Sequence, residues 1–220
     1  MDPFFQIAID GPSAAGKSTI AKEVAKSLSI EYIDTGAMYR AVAYQMLKMG
    51  ILLENEKELK EMLEKIHIDF SGGKTLLNGE DISALIRTSR ISKLASDVSA
   101  QKEVREKLVA LQREMGRAKS VVMDGRDIGT NVFPLAGYKF FLTASLEERA
   151  RRRWADLIEK DPSVSLDEVK EDIAARDHND RTRALNPLRK AADALEIDTT
   201  ELSVDEVTDR ILVLINQTGV

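Results

Sequence analysis

The stretch Gly11-Pro12-Ser13-Ala14-Ala15-Gly16-Lys17-Ser18 constrains this chain more than any other. It fits the pattern G-x-x-x-x-G-K-[ST], and it stands where that pattern has a mechanism, between a strand and a helix. The preceding run, Phe4 to Asp10, is almost wholly apolar apart from Gln6, as in a strand buried on both faces of a parallel sheet. From Ser18 onward Ile20, Ala21, Val24, Ala25 and Leu28 recur at three- and four-residue spacings, and Ile30 to Asp34 resumes as a strand. A glycine-rich turn in such a βαβ unit lets successive backbone N–H groups point at a phosphate, with the positive end of the helix dipole behind them. Lys17 then supplies a full charge to the β- and γ-phosphates of a nucleotide. The Ser18 hydroxyl is placed to ligate Mg²⁺, a hard cation that suits an oxygen donor.

Further strands are expected at Val121 to Asp124, Tyr138 to Thr143 and Ala194 to Asp198. After the last of these, Ser203 and Glu206 form a capping box for a final helix with the stripe Val204, Val207, Ile211, Leu214 and Ile215. Five strands with intervening helices imply a doubly wound α/β core. Two stretches exceed a minimal core. Around residues 66 to 85, Ile66, Ile68 and Phe70 alternate with polar residues, and Gly72-Gly73 and Asn78-Gly79 supply turns, so a small antiparallel sheet is expected. A helix with the apolar face Val104, Leu108, Leu111 and Met115 follows, ended by Gly116. The second extra stretch starts with a capping box at Ser145 and Glu148, breaks at Asp161-Pro162, and restarts near Ser165 and Glu168 until Asn186-Pro187.

Composition narrows the function classes. No stretch approaches the roughly 20 apolar residues of a membrane span, and the N-terminus lacks a signal-like run, so a cytoplasmic chain with no membrane partner is expected. With no cysteine and two distant histidines, His67 and His178, thiolate and imidazole metal sites are not available. A net charge of −5 argues against wrapping by nucleic acid. No N-K-x-D string occurs, which weakens a guanine-specific switch. Instead the chain has an excess of arginines: Arg40, Arg87, Arg90, Arg105 and Arg126 precede the fourth strand, then come Arg149, Arg151, Arg152 and Arg153, then Arg176, Arg181 and Arg183. Arginine forks onto phosphate oxygens and keeps its charge when desolvated. Arg176, Asp180 and Arg183 share a helical face at i, i+4 and i+7, either around an acceptor or as a surface ladder, while Asp177 and Arg181 read as a surface ion pair. The Arg151 to Arg153 run reads equally as a solvated face or as part of a phosphate-neutralising lid. Asp124, at a strand end, is either a Mg²⁺-directed carboxylate or the start of a turn.

Asp34-Thr-Gly-Ala-Met-Tyr-Arg40, Asp124-Gly-Arg-Asp-Ile-Gly-Thr130 and Arg176-Asp-His-Asn-Asp-Arg-Thr-Arg183 together resemble the bacterial cytidylate kinases, nearly end to end and in the family's order. The resemblance implies the P-loop nucleoside-monophosphate-kinase fold, a five-stranded parallel sheet with helices on both faces, a small antiparallel insertion and a helical lid. It implies one kinase domain over 1–220, with core segments near 1–40, 86–144 and 187–220, an acceptor-binding insertion near 41–85 and a lid near 145–186. The expected reaction is transfer of the ATP γ-phosphoryl group to CMP or dCMP by a monomer using Mg²⁺. By resemblance Gly11, Pro12, Ser13, Ala14, Ala15, Gly16, Lys17, Ser18 and Thr19 hold the ATP phosphates. Arg40, Arg126 and Arg183 hold the CMP phosphate, Arg176 and Asp180 its sugar, and Ser96, Arg105 and Asp127 the cytosine edge. Thr35 and Asp124 join the CMP site, and Lys17, Arg126, Arg183 and the lid residue Arg153 act on the transferring group. A UMP or AMP kinase, and an arginine-rich RNA-binding module with ATP as ligand, are the competing readings.

Overall fold

The computed structural model describes residues 4–159 and 161–217; the ends of the expected 1–220 domain and position 160 of the 145–186 stretch lie outside the described residues. The chain divides into two compact units, one comprising residues up to 32 and from 116 onward, the other residues 33–115.

The first unit is built on a five-stranded sheet. Its strands are β1 (Gln6–Asp10), β2 (Glu31–Asp34), β6 (Val121–Gly125), β7 (Tyr138–Thr143) and β8 (Leu195–Asp198), in the order β2-β6-β1-β7-β8. β1 runs parallel to β6 with Asp10 opposite Gly125, and parallel to β7, which pairs in parallel with β8. Strands this apolar are buried on both faces, so β1 presents Ile7 and Ile9 to one cluster of the core. That cluster takes Ile20, Ala21, Val24 and Ala25 from α1 (Lys17–Ser27), Phe140 and Leu142 from β7, Ile197 from β8, and Val207, Ile211 and Ile215 from α8 (Val204–Gln217). Each such Ile or Leu side chain removed from water contributes about 1.5–3 kcal/mol. The box before α8 forms as expected, with Ser203 N–H donating to Glu206 and Glu206 N–H to Ser203 Oγ. Val204, the first residue of the expected stripe, is 40% exposed and does not belong to the packed face.

The second unit begins with the end of β2 and holds α2 (Thr35–Met49), α3 (Glu56–Lys65), α4 (Ser89–Val98) and most of α5 (Lys102–Ala118). Its sheet is the antiparallel meander β3 (Ile68–Ser71), β4 (Lys74–Leu77) and β5 (Glu80–Asp81). The alternating pattern and paired turn residues of 66 to 85 thus specify what they imply. α5 does not stop at Gly116. A Cβ there would come 2.3 Å from Phe133 Cζ, so the glycine admits an aromatic ring against the helix instead of ending it.

A single π-turn (Ile128–Val132) follows β6, and an α-hairpin of α6 (Leu146–Ile158) and α7 (Leu166–Thr182) follows β7. α7 has the full capping box of Ser165 and Glu168. α6 has only half of one, because Ser145 N–H donates to Thr200 Oγ1 while the Glu148 carboxylate accepts from Arg151 and Arg152. α7 ends at Thr182, ahead of Asn186-Pro187, with Asn186 at φ 48° and its carbonyl held by Arg183.

Candidate active site

The cradle lies where β1 gives way to α1. Gly11 has φ +150°, and a Cβ on it would stand 2.1 Å from the Leu142 carbonyl oxygen, so only glycine fits the crossing beside β7. Gly16 is the left-handed N-cap of α1, and Ala14 is left-handed as well, at φ 58°. Lys17 is buried, and its Nζ donates to Pro12 O at 2.6 Å. Burial lowers its pKa to about 7, reinforced by the Arg126 and Arg176 charges and opposed by Asp124 and Asp180. Ser18 and Thr19 are exposed, and the Ser18 hydroxyl donates to Asp124 Oδ2 at 2.8 Å, while Tyr32 donates to Oδ1 at 2.8 Å. Ser18 Oγ and Asp124 are hard oxygen donors side by side, a set that fits Mg²⁺. Among the described residues no group of three or more His, Asp or Glu side chains could by itself hold a metal ion.

At the foot of the cradle Asp10 is buried and accepts the N–H groups of Ile128 at 2.8 Å and Gly129 at 2.7 Å. Burial raises its pKa to about 6 despite those two donors. One carboxylate therefore fixes the start of the cradle to the turn that carries Asp124, Arg126 and Asp127.

That turn faces the end of α7 in a buried charge cluster. Arg126 Nε donates to Asp180 Oδ2 at 2.6 Å, Arg183 Nη1 lies 3.7 Å from Asp180 Oδ1, and Arg183 Nη2 donates to Asp127 Oδ1 at 3.1 Å. Asp127 Oδ2 also accepts from Asn131 at 3.0 Å. Burial disfavours the Asp180 carboxylate, but Arg126, Arg176 and Arg183 outweigh it and hold its pKa below the ordinary value. Burial likewise opposes Arg126, and Asp180, with the charges of Asp177 and Asp124, more than offsets that. The Arg176, Asp180, Arg183 spacing is thus a buried arginine–carboxylate cluster and not a surface ladder, with Arg183 capping α7 instead of lying within it.

The parallel pair Asp177 and Arg181 is overturned. Asp177 is 3% exposed and takes Arg149 Nη1 at 2.6 Å and Ser13 N–H at 3.0 Å, whereas Arg181 is exposed. A helix turn brings position 177, not only 176 and 180, against the core, which i,i+4 charge pairing alone does not reveal. The four arginines of α6 divide by face as well. Arg149 is buried, Arg151 is exposed on Glu148, and Arg152 joins Glu148 to the Thr199 carbonyl. Arg153 is half-buried with no ion pair among the described residues.

In the unit 33–115, Asp34 accepts Ala37 N–H at 2.8 Å as the N-cap of α2 and pairs with Arg40 Nη2 at 2.9 Å. Arg40 Nε is a buried donor without a hydrogen-bond partner. Thr35 is buried at the first turn of α2. Arg105 is 2% exposed, donates to Ser99 O at 3.2 Å and lies 5.8 Å from the Tyr39 ring centroid. Ser96, half-buried on α4, accepts the Ser99 hydroxyl at its carbonyl. Sequence reasoning missed Asp10, Tyr32, Asn131 and the Arg149–Asp177 pair. An aspartate closing an apolar strand was the available signal for Asp10; the others depend on contacts more than 25 residues away or on a turn type that leaves no pattern.

The family model described as cytidylate kinase matches residues 7–217. The chain is 52% identical over 210 residues to the cytidylate kinase of Clostridioides difficile (strain 630), covering 96% of this chain and 97% of that one. It is 49% identical over 221 residues to the cytidylate kinase of Bacillus cytotoxicus, covering 99% and 98%. Among solved structures, a shikimate kinase from Acinetobacter baumannii in complex with shikimate matches with a TM-score of 0.52 at 17% identity, covering 100% of this chain and 97% of that one. The likeness to that structure is one of fold.

Proposed function

We infer, for a chain that belongs to the cytidylate kinase family, how its own residues carry out the family's reaction. The enzyme transfers the γ-phosphoryl group of ATP to CMP or dCMP, giving ADP and CDP or dCDP. The observation that supports the site assignment most is the buried cluster of Arg126, Asp180, Arg183 and Asp127, of which Arg126 and Asp180 act on the cradle lysine.

Gly11 to Thr19 hold the donor phosphates, with Lys17 as the cation on the β- and γ-phosphates and Ser18, backed by Asp124, toward Mg²⁺. Mg²⁺ supplies charge neutralisation between the phosphates when bound. Arg126 and Arg183 are held in place by Asp180 and Asp127, so both guanidinium groups are ordered before the acceptor phosphate arrives, and Arg40 is the third arginine we assign to that phosphate. Arg176 and Asp180 take the sugar. Asp127, Ser96 and Arg105 read the cytosine edge, and Thr35 lines the CMP site. Arg153 is the hairpin arginine left to meet the transferring phosphoryl group.

No catalytic base is needed. A phosphate monoester has a second pKa of about 6, so the acceptor oxygen is already largely anionic at neutral pH. Alignment and charge neutralisation supply the rate. We further propose a cytoplasmic monomer without nucleic acid or membrane partners, with 41–85 as the acceptor-binding insertion and 145–186 as the lid.

The test is ADP formation from ATP and Mg²⁺ with CMP, dCMP, UMP, AMP or GMP supplied separately, beside Lys17→Met. Turnover led by CMP and dCMP and abolished in the variant is expected. ADP release indifferent to the acceptor would reject the acceptor assignments.

A further inference from the structure

A buried ion pair roots both helices of the hairpin in the phosphate cradle. Arg149, at the start of α6, donates through Nη1 to Ser13 O at 3.0 Å and to Asp177 Oδ2 at 2.6 Å, and through Nε to Ala144 O at 3.0 Å. Asp177, near the end of α7, accepts Ser13 N–H on Oδ1 at 3.0 Å. The two side chains are 7% and 4% exposed. Both backbone polar groups of Ser13 are therefore held by one guanidinium–carboxylate pair, which also reaches past the end of β7. The next residue, Ala14, is left-handed and packs against the hairpin's own core of Ala150, Val169 and Ile173. That conformation is unfavourable for an L-residue and persists only where its surroundings dictate it.

We propose that Arg149 and Asp177 are positioning residues of the adenine-nucleotide site. They fix the Ser13 peptide, and through it the left-handed Ala14, so that the N–H groups that follow converge on the donor phosphates. The Ser13 amide is itself engaged by Asp177, so phosphate-directed donors begin after it. The hydrogen bonds of the pair go to Ser13, to Ala144 and to each other, while toward the acceptor cluster Asp177 contributes only its charge, which supports Arg126. The proposal rests on Gly11 to Thr19 being the donor site.

The test is calorimetric titration of ADP and, separately, of CMP into the full chain, with the melting temperature recorded for each variant. Asp177→Asn keeps an acceptor for Ser13 but loses the charge facing Arg149. Arg149→Lys keeps the charge but offers one nitrogen where Arg149 uses two. Losing a buried charged hydrogen bond predicts ADP binding weaker by about tenfold or more, with CMP binding weakened by a clearly smaller factor. The double exchange, Arg149→Asp with Asp177→Arg, restores opposite charges but sets a donor against Ser13 N–H. It also sets a carboxylate against the Ser13 and Ala144 carbonyl oxygens, so ADP affinity is not expected to return. ADP affinity near wild type in any of these folded variants, or ADP and CMP weakened in equal proportion, overturns the proposal. Wild-type protein that binds no ADP would instead reject the donor-site assignment and leave the pair a purely structural contact.

Discussion

Lys17 shows how a single residue can link binding to pH. Burial and the neighbouring arginines bring its pKa down from the ordinary lysine range to about 7. Anionic phosphates favour the charged form, so ADP binding at pH 7.5 should take up protons beyond any uptake seen with Lys17→Met. Calorimetry in two buffers of different ionisation enthalpy measures this, and identical proton uptake by both proteins would show Lys17 already charged. Asp10 acts in the opposite direction. Its folded pKa of about 6 lies above the unfolded value of 3.8, so the folded state holds the proton more tightly and stability falls as pH rises from about 4 to about 6. The loss relative to Asp10→Asn should reach about 3 kcal/mol across that window in urea titrations, and a pH-independent difference would contradict the burial argument. At the acceptor, Asp127→Ala should lower the CMP-to-UMP ratio of kcat/KM by about tenfold or more, because cytosine's amine loses a carboxylate acceptor that uracil's oxygen never used. An unchanged ratio removes Asp127 from base recognition. Lys17, Ser18, Arg176 and Arg183 stand out in the sequence as candidates because motif and spacing carry chemistry. Asp10 and Asp177 do not, since burial and partner identity decide their roles and neither is written locally.

Strands and helices were the most legible level. Tyr138–Thr143 and the meander of 68–81 emerged where apolar alternation and turn residues implied, because a side-chain period of two or 3.6 follows directly from backbone geometry. Endings failed where a tertiary contact overrode a local signal. Gly116 has the composition of a helix stop, yet α5 continues past it under the Phe133 ring. Gly116→Ala should therefore destabilise by about 1–3 kcal/mol through overpacking, although alanine favours an exposed helix by up to about 1 kcal/mol. Urea unfolding reads the balance, and Phe133→Leu in the same chain should recover part of the loss. A more stable Gly116→Ala protein would mean the ring yields without cost.

At the level of the whole molecule, the fold class was legible from five apolar strands and a cradle, but the order β2-β6-β1-β7-β8 was not. The largely buried strands β1, β6 and β7 look alike in sequence, so periodicity cannot say which lies beside which. Ligand linkage gives a global test of the two-substrate reading. CMP or ADP at about 100 times its Kd should each raise Tm by about 5–10 °C, and UMP or GMP at the same concentration should raise it less. The strand order also matters for inheritance. Ser18 and Asp124, Asp10 and the turn after β6, and Ala14 and the hairpin packed on it are neighbours in space yet separated along the chain by the block 33–115. A single crossover within that block, between two diverged relatives, would draw each of these partners from different parents. A double crossover that exchanges the block whole would leave every one of them with a single parent, so recombination can trade the interior of this gene more safely than either of its ends.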